Sequence, residues 1–157
     1  MTLPHLELGS GSKPTPGYLH HDLWKHSPYI DLAFDLRVYP WPLDDSSVID
    51  LLATDVFEHT GFEIQPWLDE CHRILAPGGS LSMRLPAWDY HLSYRDPTHY
   101  RVFHPQTFDY WCPGIPSRLH EDFGRYYFGP TYDKWWEMVM VTREVGDLRF
   151  ILRKPPR

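Results

Sequence analysis

The stretch "FEIQPWLDECHRILAPGG" (residues 62–79) and the "SLSMRLPA" (80–87) that follows it decide the fold. In the first, Ile64, Trp67, Leu68, Cys71, Ile74 and Leu75 recur at helical spacing and draw one apolar stripe. Pro66 is tolerable only because it falls in the first turn. Arg73 comes near the negative end of the helix, and Pro77-Gly78-Gly79 stops it. The second stretch alternates, which predicts a strand. A helix that runs into a strand is the second half of a parallel crossover, so a strand is expected just upstream.

That strand is "VIDLLATD" (48–55), apolar enough to read as buried on both faces of a parallel sheet. Residues 5–8 predict a first strand. "GYLHHDL" (17–23) contains a second, ending at Asp22, and "YIDLAFDL" (29–36) a third, ending at Asp35. "VYPWPLDDSS" (38–47) is a proline-rich loop. Residues 88–133 show no long period, and "WWEMVMVTREVGDLRFILRKPP" (135–156) predicts an antiparallel hairpin around Val145-Gly146-Asp147. The fold class is therefore α/β: a Rossmann-like, mostly parallel sheet with an antiparallel C-terminal hairpin. Its helices are trimmed, because the spans 9–17 and 24–28 are too short for ordinary crossover helices. One sheet face is expected to be partly bare there.

At 157 residues the chain reads as a single domain, 1–157, with 88–133 as a lid or substrate-binding insertion. Aromatic residues make up 16%; such rings either wall a pocket or replace leucines in the core. The net charge of −6, without a basic run, disfavours a nucleic-acid partner. No stretch approaches the roughly 18 apolar residues of a membrane span. The first strand begins so near Met1 that no signal peptide is expected. Cys71 and Cys112 form no CxxC pair and read as free thiols of a cytoplasmic protein.

The strand ends supply the chemistry. In an open α/β sheet, ligands bind beyond the carboxyl ends of the strands. Glu7, Gly9, Ser10 and Gly11 end the first strand, Asp22 the second, Asp35 and Leu36 the third, and Thr54 and Asp55 the fourth. Glycines permit close approach to the backbone, and a carboxylate after the second strand can accept both hydroxyls of a ribose. One after the third can accept an adenine amino group, with Leu36 on the base. The Gly-x-Gly lacks a third glycine. Lys13 and Pro14 stand where a phosphate-cradling helix would start, so a pyrophosphate is poorly served.

"LELGSGSKP", "DVFEH" and "ECHRILAPGG" resemble the class I S-adenosylmethionine-dependent methyltransferases, closest to small bacterial and phage-type members. "DPTHYRVFHPQTFDYW" (96–111) is similar to a segment of that group. The resemblance spans about residues 5–154. It implies S-adenosyl-L-methionine as cofactor, a ligand with no phosphate, which accounts for the missing helix. It also implies methyl transfer to an unidentified small-molecule or peptide acceptor. By the same resemblance Gly9, Ser10 and Gly11 face the methionine moiety, Asp22 holds the ribose, and Asp35 and Leu36 hold the adenine. Thr54 and Asp55 meet the amino group. Lys13 in place of the third glycine departs from the pattern, as does the lack of helices before the first strand. Two other readings stay open: a cofactor- or metal-binding remnant without activity, and a nicotinamide-dependent oxidoreductase. A homodimer is also left open.

Ten histidines are several times ordinary usage. His59, His91, His99, His104 and His120 fall at or after the ends of the fourth and fifth strands. They read as hydrogen-bonded surface groups, or as one or two general bases, a role suited to imidazole. His99 leads as base, with His59 reaching in from the fourth strand and Asp96 shaping the "DPTH" turn. A metal site of Asp96, His99 and His104 has no supporting spacing, and no metal is expected.

Overall fold

The structure is a computed structural model, and it describes residues 2–156. Five parallel strands come first: β1 (His5–Leu8), β2 (Leu19–Asp22), β3 (Leu32–Ala33), β4 (Val48–Thr54) and β5 (Leu75–Pro86). Helix α1 (Ile64–Ile74) joins β4 to β5. A four-residue helix, α2 (Arg125–Phe128), precedes the hairpin of β6 (Glu137–Arg143) and β7 (Asp147–Arg153). The sheet order is β3-β2-β1-β4-β5-β7-β6, with only β7 antiparallel to its neighbours on both sides. The order reverses between β1 and β4, which places a ligand crevice at their carboxyl ends.

The helix ends earlier than its sequence suggests. Leu75 is already extended (φ −70°, ψ 135°), and it pairs with Val48 before a bulge resets the register to Asp50 opposite Ser80. The Pro-Gly-Gly thus belongs to the strand. A Cβ on Gly79 would stand 2.8 Å from the carbonyl oxygens of Ala76 and Ile49. Lys154 stops the helix instead, its Nζ donating to the carbonyls of His72 and Leu75 at 2.7 Å each. The expected apolar stripe is buried at Trp67, Leu68, Cys71, Ile74 and Leu75.

Two strand expectations need correction. The third strand was expected to end at Asp35 but keeps only Leu32 and Ala33. As an edge element it is held partly by a side chain, Asp31, which accepts the His20 amide. And β4 is not covered on both faces. Val48, Leu51 and Ala53 are buried, whereas Asp50 points to the other side, accepting hydrogen bonds from Tyr18 Oη and Ser80 Oγ. The links 9–18 and 23–31 contain no helix among the described residues, so nothing of that kind covers this face, while the equally helix-free link 34–47 runs along the other face beside α1, where Trp41 meets Trp67 at 6.0 Å. The Asp50 face carries paired charges instead, Arg153 with Glu137 and Arg84 with Asp55.

The covered face is packed with rings. Phe57 stacks on Trp67 at 4.2 Å and meets Phe103 at 5.6 Å; Phe108 stands edge-on to Phe150 at 4.8 Å. Much of the aromatic content is therefore core, burying large area with few rotatable bonds. Residues 88–133 supply several of these rings. The segment leaves β5, crosses the carboxyl ends with the Tyr100 amide on the Glu58 carbonyl, and returns through a bridge from Phe103 to Ala87. It then descends beside α1, where Tyr132 Oη donates to Asp69 at 2.7 Å.

Candidate functional site

The turn after β1 is built around two glycines in the left-handed region, Gly9 (φ 60°) and Gly11 (φ 58°). At Gly9 a second constraint acts, since a Cβ would lie 2.6 Å from Val56 Cγ2. The Gly9 amide donates to His21 Nδ1 and the Gly11 amide to Asp22 Oδ2, so the turn is tied to the end of β2. Glu7, expected to face a ligand, is buried behind the turn and accepts hydrogen bonds from the Thr15 amide and hydroxyl, both at 2.7 Å. Its carboxylate fastens the loop that replaces the usual helix. Ser10 is buried with its Oγ unpartnered.

A cavity of about 280 Å³ opens at the strand ends. Gly9, Asp22, Phe34, Asp35, Leu36, Val56 and His59 are among its walls. Of the nine residues expected at a cofactor, Gly9, Asp22, Asp35, Leu36 and Asp55 line it; Glu7, Ser10, Gly11 and Thr54 do not. Burial pushes the Asp22 carboxyl up, but hydrogen bonds from His26, Leu23 and Gly11 outweigh it and hold the group below its ordinary range. Asp35 is held low by the Arg37 guanidinium, which grips both its oxygens at 2.7–3.2 Å. Asp55 takes a left-handed backbone (φ 54°), with its carboxylate paired to Arg84.

A second cavity, about 380 Å³, adjoins the first and shares Asp55 and His59 with it. Glu58, His59, Asp96, His99 and Asp147 supply its polar wall, Pro86, Tyr90 and Leu92 an apolar one. All three residues expected to carry chemistry, His99, His59 and Asp96, are brought together here. The His59 and His99 ring centroids are 4.8 Å apart. Asp96 closes its own turn, accepting from the Thr98 amide (2.8 Å) and hydroxyl (2.6 Å). The other histidines lie elsewhere. His104 packs on Trp88, and buried His120 faces the Tyr110 carbonyl and the Trp135 ring, so the trio Asp96, His99 and His104 does not assemble.

Sequence reasoning missed Glu58. It is 1% exposed, and burial pushes its carboxyl up to about 8, helped by the charges of Asp55 and Asp147. The signal was present in "DVFEH", an acid beside a histidine just past a strand end. Arg84, the partner of Asp55, was missed as well; its position near the carboxyl end of β5 was the available hint. A larger cavity, about 720 Å³, is walled by Glu63, Arg101, Tyr110, Trp111 and Phe128, beside α1 and away from the glycine turn.

No protein-family model and no curated protein matches the sequence. Solved structures do match. A SAM-dependent methyltransferase from Methanosarcina mazei superposes with a TM-score of 0.61 at 15% identity, over 100% of this chain and 95% of that one. One from Archaeoglobus fulgidus gives 0.60 at 12%, over 98% and 86%. The trans-methyltransferase CalH, in complex with SAH, gives 0.58 at 14%, over 98% of this chain and 51% of that one. A complex between the Haloferax volcanii Trm112 methyltransferase activator and a methyltransferase gives 0.59 at 14%, over 99% and 85%. At these identities the likeness speaks for the fold, and it agrees with the strand order and the antiparallel β7: the chain has the fold of the class I S-adenosylmethionine-dependent methyltransferases.

Proposed function

We propose that the chain binds S-adenosylmethionine in the cavity between Gly9 and Leu36 and transfers its methyl group to an acceptor held in the adjoining cavity. The observation that carries this is the meeting of the two cavities at Asp55 and His59, at the switch point of the sheet.

The residues present fit the cofactor. The slot of Phe34, Leu36 and Val56 suits an adenine face, and Asp22 sits at the end of β2 where ribose hydroxyls would come. The glycine turn lets a methionyl tail lie against backbone, and no helix dipole waits there for a phosphate. When bound, the cofactor supplies an electrophilic methyl on a sulfonium, and the group that leaves is a neutral thioether. The chain therefore has no leaving group to protonate. Its task is to align the acceptor and exclude water. Residues 88–133 serve as the wall or lid on the acceptor side, through Tyr90, Leu92, Ser93, Asp96 and His99. Where the acceptor must lose a proton, His99 or His59 takes it.

Calorimetric titration with S-adenosylhomocysteine and with nicotinamide dinucleotides tests the reading. Binding in the micromolar range for the first and none for the second is expected. The converse removes the methyltransferase assignment. Transfer of labelled methyl to small-molecule or peptide acceptor pools then separates an enzyme from a binding remnant, a reading favoured by the trimmed crossovers.

A further inference from the structure

Three side chains in the acceptor cavity are arranged more tightly than methyl transfer requires. Glu58, His59 and His99 each present a ligand atom, and these atoms all lie within 4.8 Å of one another. The two histidines have the same tautomer imposed on them. His99 Nδ1 faces the Ser93 carbonyl at 2.9 Å, which can only accept, so Nδ1 carries the proton. His59 Nδ1 faces the Thr98 carbonyl (3.3 Å) and the Thr98 hydroxyl (3.0 Å), whose own proton is donated to Asp96. That leaves the Nε2 lone pairs for a ligand, with the Asp96 carboxylate 3.9 Å from His99 Nε2. Glu58 is 1% exposed and its Oε2 has no hydrogen-bond partner, an arrangement that is costly unless something occupies the site.

We propose that Glu58, His59 and His99 bind a divalent transition metal, with zinc as the first choice, on the acceptor side of the cleft. Two imidazoles and a carboxylate form a donor set suited to zinc and its neighbours rather than to magnesium or calcium, which prefer oxygen alone. Ring N–H groups turned onto carbonyls are the outer support that metal-bound histidines carry, and Asp96 extends it by holding Thr98. Tetrahedral zinc ligands stand about 3.4 Å apart, so the three side chains close by roughly an ångström on binding. Three protein ligands leave a position open to the cavity. An acceptor oxygen bound there would have its proton loosened by the metal, which then takes over from His59 and His99 as the source of basicity because their Nε2 lone pairs are engaged in binding it. That last role rests on the methyl-transfer reading; the metal site itself does not.

The test uses the full chain stripped with chelator, with no cofactor present, titrated with zinc chloride and, separately, with cobalt(II). One equivalent of zinc is expected, together with intense visible bands for cobalt in a four- or five-coordinate site. His59→Ala and His99→Ala should each weaken zinc binding by about 100-fold and Glu58→Gln by about 10-fold or more, while His104→Ala leaves it unchanged. Thr98→Val keeps every ligand and removes only the hydroxyl that supports His59, and it should cost about 10-fold. This variant stands in if a ligand variant fails to fold by near-ultraviolet dichroism. Absence of binding below about 1 mM zinc overturns the proposal. So does zinc binding by His59→Ala and His99→Ala as tight as that of the parent chain, which would mean capture by scattered histidines. The cofactor titration gives its own answer, so either reading can fail without the other.

Discussion

The imidazoles of His59 and His99 face each other edge to face with 4.8 Å between centroids, one carried by the turn after β4 and the other by the "DPTH" turn after β5. Thr98 links the two turns, since its hydroxyl joins His59 to Asp96. The pair therefore belongs to the second cavity as a unit, with His59 also at the boundary of the first.

This arrangement separates two kinds of damage. His99→Ala removes a group that lines the acceptor cavity and not the cofactor cavity. Affinity for S-adenosylhomocysteine should stay within about twofold, while methyl transfer falls by about 10²–10⁴ where His99 is the base. Titration and turnover on the same preparation check this; equal loss in both would move His99 out of the acceptor site.

Asp22→Ala should weaken cofactor binding more than Asp35→Ala does. Asp22 accepts the Gly11 amide, so its removal loosens the glycine turn as well as taking away a ligand contact. Asp35 is already gripped by Arg37 and has less capacity left for a ligand. A loss of about 1–3 kcal/mol is expected for Asp22→Ala. Unchanged affinity in both variants, with the fold intact, would remove both carboxylates from the site.

Gly9 and Gly11 share a backbone conformation but differ in surroundings. Alanine at Gly11 meets open space and should cost only the left-handed strain, about 1 kcal/mol. Alanine at Gly9 adds a clash with Val56 and should cost at least about 1 kcal/mol more. A double-mutant cycle with Val56→Ala should recover that excess in denaturant melts; additive costs would show that the contact does not matter.

The sheet and its order of elements were legible because periodicity and turn residues are local signals. "SLSMRLPA" alternates, and the stripe from Trp67 to Ile74 repeats at helical spacing. The helix end was not legible, because Pro77-Gly78-Gly79 look like a stop while the stop is made by Lys154, far along the chain. The covering of β4 was overstated for a related reason. "VIDLLATD" is apolar overall, but only the absence of neighbouring helices decides that Asp50 faces outward. At the site, strand-end carboxylates were foreseeable from position. Their partners Arg37, His26 and Arg84 were not, since an acid's spare capacity depends on what the fold brings beside it. Glu58 escaped because one letter beside a histidine carries no sign of burial.

The last prediction concerns acid stability and the lower end of α1. His72 lies on the final turn of the helix, edge-on to the buried Trp136 ring at 5.2 Å. Burial pushes its pKa down to about 4, and the positive charges of Lys154 and Lys134 add to the effect. The unfolded chain binds a proton at the ordinary value near 6.5, so between about pH 6.5 and 4 the unfolded state holds more protons than the folded one. Stability must therefore fall as pH drops through that window, and the loss is complete below about pH 4. Because the ring is partly solvated, the contribution is discounted to about 1–2 kcal/mol. His72→Gln removes the titration while leaving a neutral side chain on Trp136. Urea melts at pH 7.5 and 4.5 should show the parent chain losing about 1–2 kcal/mol more than the variant across the interval. Parallel losses in the two proteins would mean that His72 is charged in the folded state and that the lysines beside it are better screened than their positions imply.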